Sequence, residues 1–305
     1  MNPDDESLRP GVGADTGEVP ASFDHLVRQG GQALAAADID EGWREAGLLL
    51  AQVLGRDRAW LIAHGDEVAG ADQARAFQSL IARRLAGEPM AYVLGQHGFW
   101  SLSLKVTPAV LVPRPETELL VEQVLACLPQ TRPARPVRIA DLGTGSGAIA
   151  LALASERPQW QIVATDASAA ALAVAEDNAR VLGLEQRVHF RQGHWYQALA
   201  GQPAFDALVS NPPYIVRDDD HLAAPALRHE PQSALVSGSD GLDDIRQIIA
   251  GAAEHLRPGG WLLLEHGWDQ AKAVRALLHA HGFAGIDSRR DLGGQPRISF
   301  GRRPG

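Results

Sequence analysis

Cysteine is almost missing from this sequence: Cys127 is the only one in 305 residues. An internal disulfide and any multi-cysteine zinc or iron–sulfur site are therefore excluded, and a reducing cytoplasm is the expected setting. The eleven histidines are scattered, with no HExxH, and His279 and His281 lie two apart, so they do not share a helix face. No metal site is expected. No apolar run is long enough to span a bilayer. Residues 1–20 are polar, acidic and rich in Gly and Pro, without the basic-then-apolar order of a secretory signal. They read as a disordered tail. Lysine occurs only at Lys105 and Lys272, and the formal charge is −9. A protein that grips duplex DNA usually carries a basic face, so direct DNA binding is not expected. What is present is apolar: 45% hydrophobic content over this length supports one large domain or two smaller ones.

Between residues 23 and 86 proline is absent and alanine frequent, which favours helix. Leu48, Leu49, Leu50, Val53 and Leu54 form one apolar stripe, and Phe77, Leu80, Ile81 and Leu85 another. A helical bundle over 21–88 is expected, stopped by Gly87-Glu88-Pro89. Residues 99–106 and 109–112 are β-rich and separated by Thr107-Pro108. They read as a hairpin within a linking segment, 89–113. The remaining part, 114–305, opens with an apolar helix through Leu128, whose first turn Thr117 and the nearby carboxylates are placed to satisfy. From Val137 onward strands and helices alternate. That order predicts an α/β fold with a mostly parallel, doubly wound, seven-stranded sheet. The turn Leu292-Gly293-Gly294 is too short for a parallel crossover, so the last strand is expected to be antiparallel. This arrangement is similar to the class I, Rossmann-like methyltransferases.

One predicted strand ends in Asp141-Leu142 and runs into Gly143-Thr144-Gly145-Ser146-Gly147 before a helix. Glycines let a backbone turn tightly and approach a ligand closely. Asp166 ends the next strand, where a carboxylate can accept hydrogen bonds from ribose hydroxyls. There is no GxxxxGK[ST], and the loop spacing is GxGxG rather than the dinucleotide GxGxxG. S-adenosyl-L-methionine, which has no pyrophosphate, is the expected cofactor, with Asp141 tolerating its cationic end.

The second motif is Asn211-Pro212-Pro213-Tyr214, at the carboxyl end of the predicted strand 205–210. Open α/β sheets bind ligands at that edge. Two prolines fix φ and remove two N–H donors, which leaves local carbonyls free to face a cleft. The Asn211 side-chain oxygen and the Pro212 carbonyl then offer two acceptors, matching the two hydrogens of an –NH2 group. Tyr214 is expected to pack against the flat amide. A methyl transfer to an amide or amine nitrogen follows from the two motifs together. Glu265 and His266 are expected to be an ordinary pair facing a loop, and Arg217 to Asp220 a solvated one. Arg114 and Glu118 are candidates for bracing the hairpin.

These motifs carry a family resemblance. Gly87 to Tyr92, Phe99-Trp100-Ser101-Leu102, Leu111 to Glu118, 141–150, 210–215, Glu230-Pro231 with Ala234-Leu235, and 262–268 resemble the release-factor glutamine methyltransferases, the HemK/PrmC family. The resemblance spans about residues 23–303. It implies methylation of the glutamine side-chain amide in the Gly-Gly-Gln motif of class 1 peptide chain release factors. By position, Gly143, Thr144, Gly145, Ser146, Gly147, Asp166, Trp195 and Asn211 would hold the cofactor, with Trp195 flanking the adenine. Asn211, Pro212, Pro213 and Tyr214 would bind the glutamine. The helical bundle would help dock the protein substrate, and a monomer is expected. His194 stands where relatives usually carry an acid. A sister group methylates a ribosomal-protein glutamine, and the same clamp would suit adenine's –NH2 in a DNA methyltransferase. Both remain alternatives at the level of sequence.

Overall fold

The structure, a computed structural model, describes residues 21–128 and 135–305. The expected tail, 1–20, lies outside the described residues. The chain divides into two units, Met1–Ala86 and Gly87–Gly305.

The first unit is helical: α1 (Phe23–Ala36), α2 (Gly42–Leu54), α3 (Arg58–Ala63) and α4 (Ala71–Leu85). Side chains set two of the starts. Ser22 accepts the His25 N–H at 3.3 Å and Asp57 accepts the Trp60 N–H at 2.7 Å. Leu26 and Leu34 of α1, Leu49 and Leu50 of α2 and Phe77 of α4 are buried together as its core. Each such side chain contributes roughly 1.5–3 kcal/mol of burial. Arg84 and Glu45 tie α4 to α2 at 2.7 Å.

The second unit begins with α5 (Met90–Leu94) and a two-stranded hairpin, β1 (Gln96–Phe99) and β2 (Leu102–Lys105). Its position corrects the expectation. The turn falls at Trp100-Ser101, and 109–113 is not a strand. Two features explain the shift. Pro108 cannot donate to a ladder. Trp100, held at φ 56°, sends its N–H to Glu118 Oε1 at 2.7 Å, so Glu118 braces the turn. Residues 109–113 instead run as a strap along the cavity described below.

A short 3-10 turn, Pro115–Thr117, leads into α6 (Glu118–Cys127). Then follow β3 (Arg138–Leu142), α7 (Ala148–Glu156), β4 (Gln161–Asp166), α8 (Ala169–Val181), β5 (Val188–Gln192) and β6 (Phe205–Ser210). The chain ends with α9 (Asp243–His255), β7 (Leu256–Glu265), α10 (Ala271–Ala280), β8 (Ala284–Arg290) and β9 (Pro296–Arg302). The sheet order is β5-β4-β3-β6-β7-β9-β8, with β9 antiparallel to both neighbours and the pairs from β5 to β7 parallel. Successive side chains alternate between faces. Ile139, Val209 and Leu263 pack against α6 and α7, while Ala140, Leu208 and Leu262 pack against α9 and α10. The strand order reverses between β3 and β6. Open α/β sheets form their binding crevice at such a reversal. At the opposite edge, Asp206 accepts Arg135 twice at 2.7 Å, the Arg138 N–H at 2.9 Å and Arg257 at 2.9 Å.

Candidate active site

A cavity of about 380 Å³ opens at the carboxyl ends of β3, β4 and β6. That volume lies within the roughly 300–1,000 Å³ of small-molecule sites. The glycine loop forms its floor. Gly145 has φ 57°, a Cβ built on it would meet nothing within 4 Å, and its N–H donates to Asp166 Oδ2 at 2.9 Å. Asp166 Oδ1 accepts the Ser168 N–H at 2.9 Å. The carboxylate therefore organises the loop and still has lone pairs left for a ribose. Gly143, Thr144 and Ser146 line the cavity too.

Gly147 does not line it. Gly147 has φ 85° at the start of α7, where a Cβ would lie 2.9 Å from Leu151 and 3.3 Å from Ala175. Its service is packing of α7. Asp141 is also withdrawn. It is fully buried, and Oδ2 accepts the Thr144 hydroxyl at 2.6 Å while Oδ1 has no partner. Burial pushes its carboxyl up to about 7, against the pull of the Thr144 hydroxyl. It is a poor candidate for balancing a cofactor's charge. Asn178, from α8, fastens the hairpin to the loop: it bonds the Lys105 N–H at 2.7 Å and the Ser146 carbonyl at 2.9 Å.

Trp195 lines the cavity beside His194. Its φ of 44° is unusual for a bulky residue, and a Cβ on Gly143 would lie 3.3 Å from its ring. The indole N–H donates to Asp244 Oδ1 at 3.2 Å, and Ser237 holds Oδ2 at 2.7 Å. Asp244 also lines the cavity. The sequence reading missed it. Its only signal was an acid pair opening α9, which helix capping explains equally well. Asp244 brings an acidic group to the side of Trp195 where His194 supplies none.

Asn211 and Pro213 line the cavity, whereas Pro212 and Tyr214 do not. Asn211 Nδ2 donates to Thr117 Oγ1 at 3.1 Å. Among the described residues none donates to Asn211 Oδ1 or to the Pro212 carbonyl. Tyr214 is turned away from the cavity. Its hydroxyl lies 3.4 Å from Glu265 Oε1, and burial raises its pKa. It supports the turn from behind, because its ring packs into the α9 face of the sheet. Glu265 and His266, expected to face a loop, are both buried. His266 bonds the Gly267 carbonyl and Ser299, each at 2.8 Å, and burial lowers its pKa. Arg114 pairs with Glu230 at 2.6 Å, and Glu230 also accepts the Val112 N–H at 3.2 Å. That pair fastens the 109–113 strap to the 230–234 segment, and both line the cavity.

Residues 25–95 match the PrmC N-terminal domain family, and residues 116–242 match the Methyltransferase small domain family. A release factor glutamine methyltransferase of Xylella fastidiosa is 54% identical over 261 residues, covering 86% of this chain and 93% of that protein. One from Pseudomonas aeruginosa is 53% identical, covering 84% and 90%. One from Escherichia coli is 44% identical, covering 92% and 98%. The chain belongs to the release factor glutamine methyltransferase family. Solved structures agree on the fold. The hMettl16 catalytic domain superposes with TM-score 0.54 at 16% identity, covering 78% of this chain and 84% of that one. A T. Thermophilus 16S rRNA N2 methyltransferase superposes with TM-score 0.51 at 21% identity, covering 68% and 49%. The fold of this family member is that of class I methyltransferases, and its cofactor is S-adenosylmethionine. The cavity suits that cofactor: an open glycine turn, a carboxylate with spare lone pairs for a ribose, and an indole beside an acidic acceptor.

Proposed function

We propose that the chain methylates the side-chain amide nitrogen of the glutamine in the Gly-Gly-Gln motif of class 1 peptide chain release factors. The observation that carries this reading is the state of Asn211. Its nitrogen is tied to Thr117, and its oxygen is unclaimed beside the glycine loop. When bound, S-adenosylmethionine supplies an electrophilic methyl group on a sulfonium. The chain's own residues do the rest. Gly143, Thr144, Gly145, Ser146, Asp166 and Trp195 hold the cofactor, with Asp244 steadying the indole. Asn211 Oδ1 and the Pro212 carbonyl accept the two amide hydrogens, which opposes delocalisation of the nitrogen lone pair into the carbonyl. They also aim the nitrogen, and correct aim contributes up to about 7–11 kcal/mol in ideal cases. Charge arriving on nitrogen meets acceptors already in place. Pro213 shapes the wall, and Tyr214 holds the turn. The proton is lost after transfer, so no strong base is required beforehand.

The same reading gives the bundle at 21–88 the task of docking the protein substrate. It makes the enzyme cytoplasmic and monomeric, acting on a protein rather than on duplex DNA, in keeping with the −9 charge. The test is incubation with S-adenosylmethionine and a recombinant class 1 release factor, followed by peptide mass spectrometry. One methyl group on the Gly-Gly-Gln glutamine is the expected result. An unmodified glutamine refutes the proposal, and methylated adenine in a parallel DNA assay would replace it.

A further inference from the structure

Part of the cavity wall is made of two segments far apart in sequence. The 109–113 strap supplies Val110, Leu111 and Pro113, and the 230–234 segment supplies Pro231, Ser233 and Ala234. Neither segment is a strand: the strap is irregular, and Gln232–Ala234 is a single 3-10 turn. Pro113 and Pro231 carry no N–H, so a backbone ladder cannot run through them. A side chain makes the join instead. Glu230 Oε2 accepts the Val112 N–H at 3.2 Å, and Oε1 accepts Arg114 Nη2 at 2.6 Å. One carboxylate thus holds two points of the strap. It does so from behind, since Val112, Arg114 and Glu230 do not line the cavity.

Each segment also has an anchor of its own, away from the join. The Tyr92 hydroxyl donates to the Val110 carbonyl. On the other side, the Ile215 N–H donates to the Leu235 carbonyl at 2.8 Å, and the Ser237 N–H to the Ile215 carbonyl at 2.9 Å. Breaking the join would part the two segments without freeing either from its own side. The Glu230 side chain is 1% exposed, and that of Arg114 34%. Burying a carboxylate is costly, and such a pair adds little stability over an apolar contact of similar size.

We propose that Glu230 is the clasp of this wall: by holding Val112 and Arg114 it keeps the strap closed on the 230–234 segment and so retains S-adenosylmethionine in the cavity. Glu230 and Arg114 are positioning residues, because they act through the strap. The inference needs the cofactor to occupy this cavity and is independent of which nitrogen receives the methyl group. Losing one charge-assisted hydrogen bond shifts an equilibrium about ten- to a hundredfold. The wall should open more often by that factor, and the cofactor should leave faster with it. Entry uses the same opening. Association should therefore quicken too, and Kd should change less than the release rate.

The experiment uses the full chain and isotope-labelled S-adenosylhomocysteine. Rapid filtration reads association, and a chase with unlabelled ligand reads release. Glu230→Gln keeps an acceptor for Val112 but turns an –NH2 toward Arg114. Its release should speed up about ten- to a hundredfold, its association should not slow, and its Kd should rise by the smaller factor. A lesion that merely damaged the site would instead slow association. Arg114→Met removes the same arm from the other end. The Glu230→Gln/Arg114→Met double variant should release no faster than the faster single variant, because both cut one link. Melting curves show which variants are folded, and should Arg114→Met unfold, the two rates of Glu230→Gln still decide. Parental release in Glu230→Gln, faster release with slower association, or single effects that multiply in the double variant would overturn the inference alone. A parental chain with no affinity for the ligand would overturn the assignment of the cavity as well.

Discussion

Replacing Asp166 by alanine removes the carboxylate that joins the glycine loop to the end of β4. Two bonds are lost, to the Gly145 N–H and the Ser168 N–H, each at 2.9 Å. A hydrogen bond to a charged group contributes about 1.5–3 kcal/mol. Gly145 faces open cavity, so water can take up its freed N–H, and the low end of that range applies. The loop thus loses about 3 kcal/mol of preorganisation, and a ribose contact adds about 1.5 kcal/mol more. At about 1.4 kcal/mol per decade, the combined loss should raise Kd for S-adenosylmethionine roughly a thousandfold or slightly more. Asp166→Asn retains one acceptor oxygen but turns an –NH2 against the second donor. It should fall between, at roughly ten- to fiftyfold. Titration calorimetry with S-adenosylhomocysteine reads both, with melting curves confirming that each variant is folded. Affinity within about threefold of the parent in Asp166→Ala would refute the reasoning, because two charged hydrogen bonds cannot vanish at so small a cost.

Asp244→Ala should weaken cofactor binding about tenfold by releasing the Trp195 indole and Ser237, as the same calorimetry would show. Asp206→Ala leaves Arg135 and Arg257 unpaired at the far edge of the sheet. It should cost about 3 kcal/mol in urea unfolding without altering cofactor affinity. Asp141 has a folded pKa of about 7, above the ordinary value of 3.8. Its contribution to stability is therefore fully present below 3.8 and is lost as pH rises through about 7. Asp141→Asn should flatten that loss, about 1.4 kcal/mol per pH unit within the window, so the variant's advantage in urea should grow between pH 3.8 and about 7 and level off above it.

The sheet was legible because its signals are local. Strand runs such as Phe205–Ser210 and helices such as Asp243–His255 match the residue pattern almost end to end. The short turn before β9 disclosed its antiparallel direction. The glycine loop and Asn211 were legible because backbone demands leave a mark in residue type. The hairpin was misplaced because a β-rich run at 109–112 has the propensity of a strand but is claimed by Glu230, 118 residues away at Val112. Thr117 looked like a cap for the same reason: capping is a local rule, and its true partner, Asn211, is 94 residues distant. Asp244 bears on the site only because α9 packs across the sheet beside Trp195. No periodicity records such a meeting. Gly147 and Tyr214 belong to motifs whose neighbours do line the cavity, and only packing separates a wall residue from the one that supports it.

The most direct measurement is single-turnover methylation of a class 1 release factor by Asn211→Ala, with cofactor affinity measured alongside. Loss of an acceptor used in the transition state should slow transfer about a hundred- to a thousandfold. Cofactor affinity should stay largely intact. Transfer at the parental rate would contradict the claim that the Asn211 oxygen presents the glutamine amide to the methyl group.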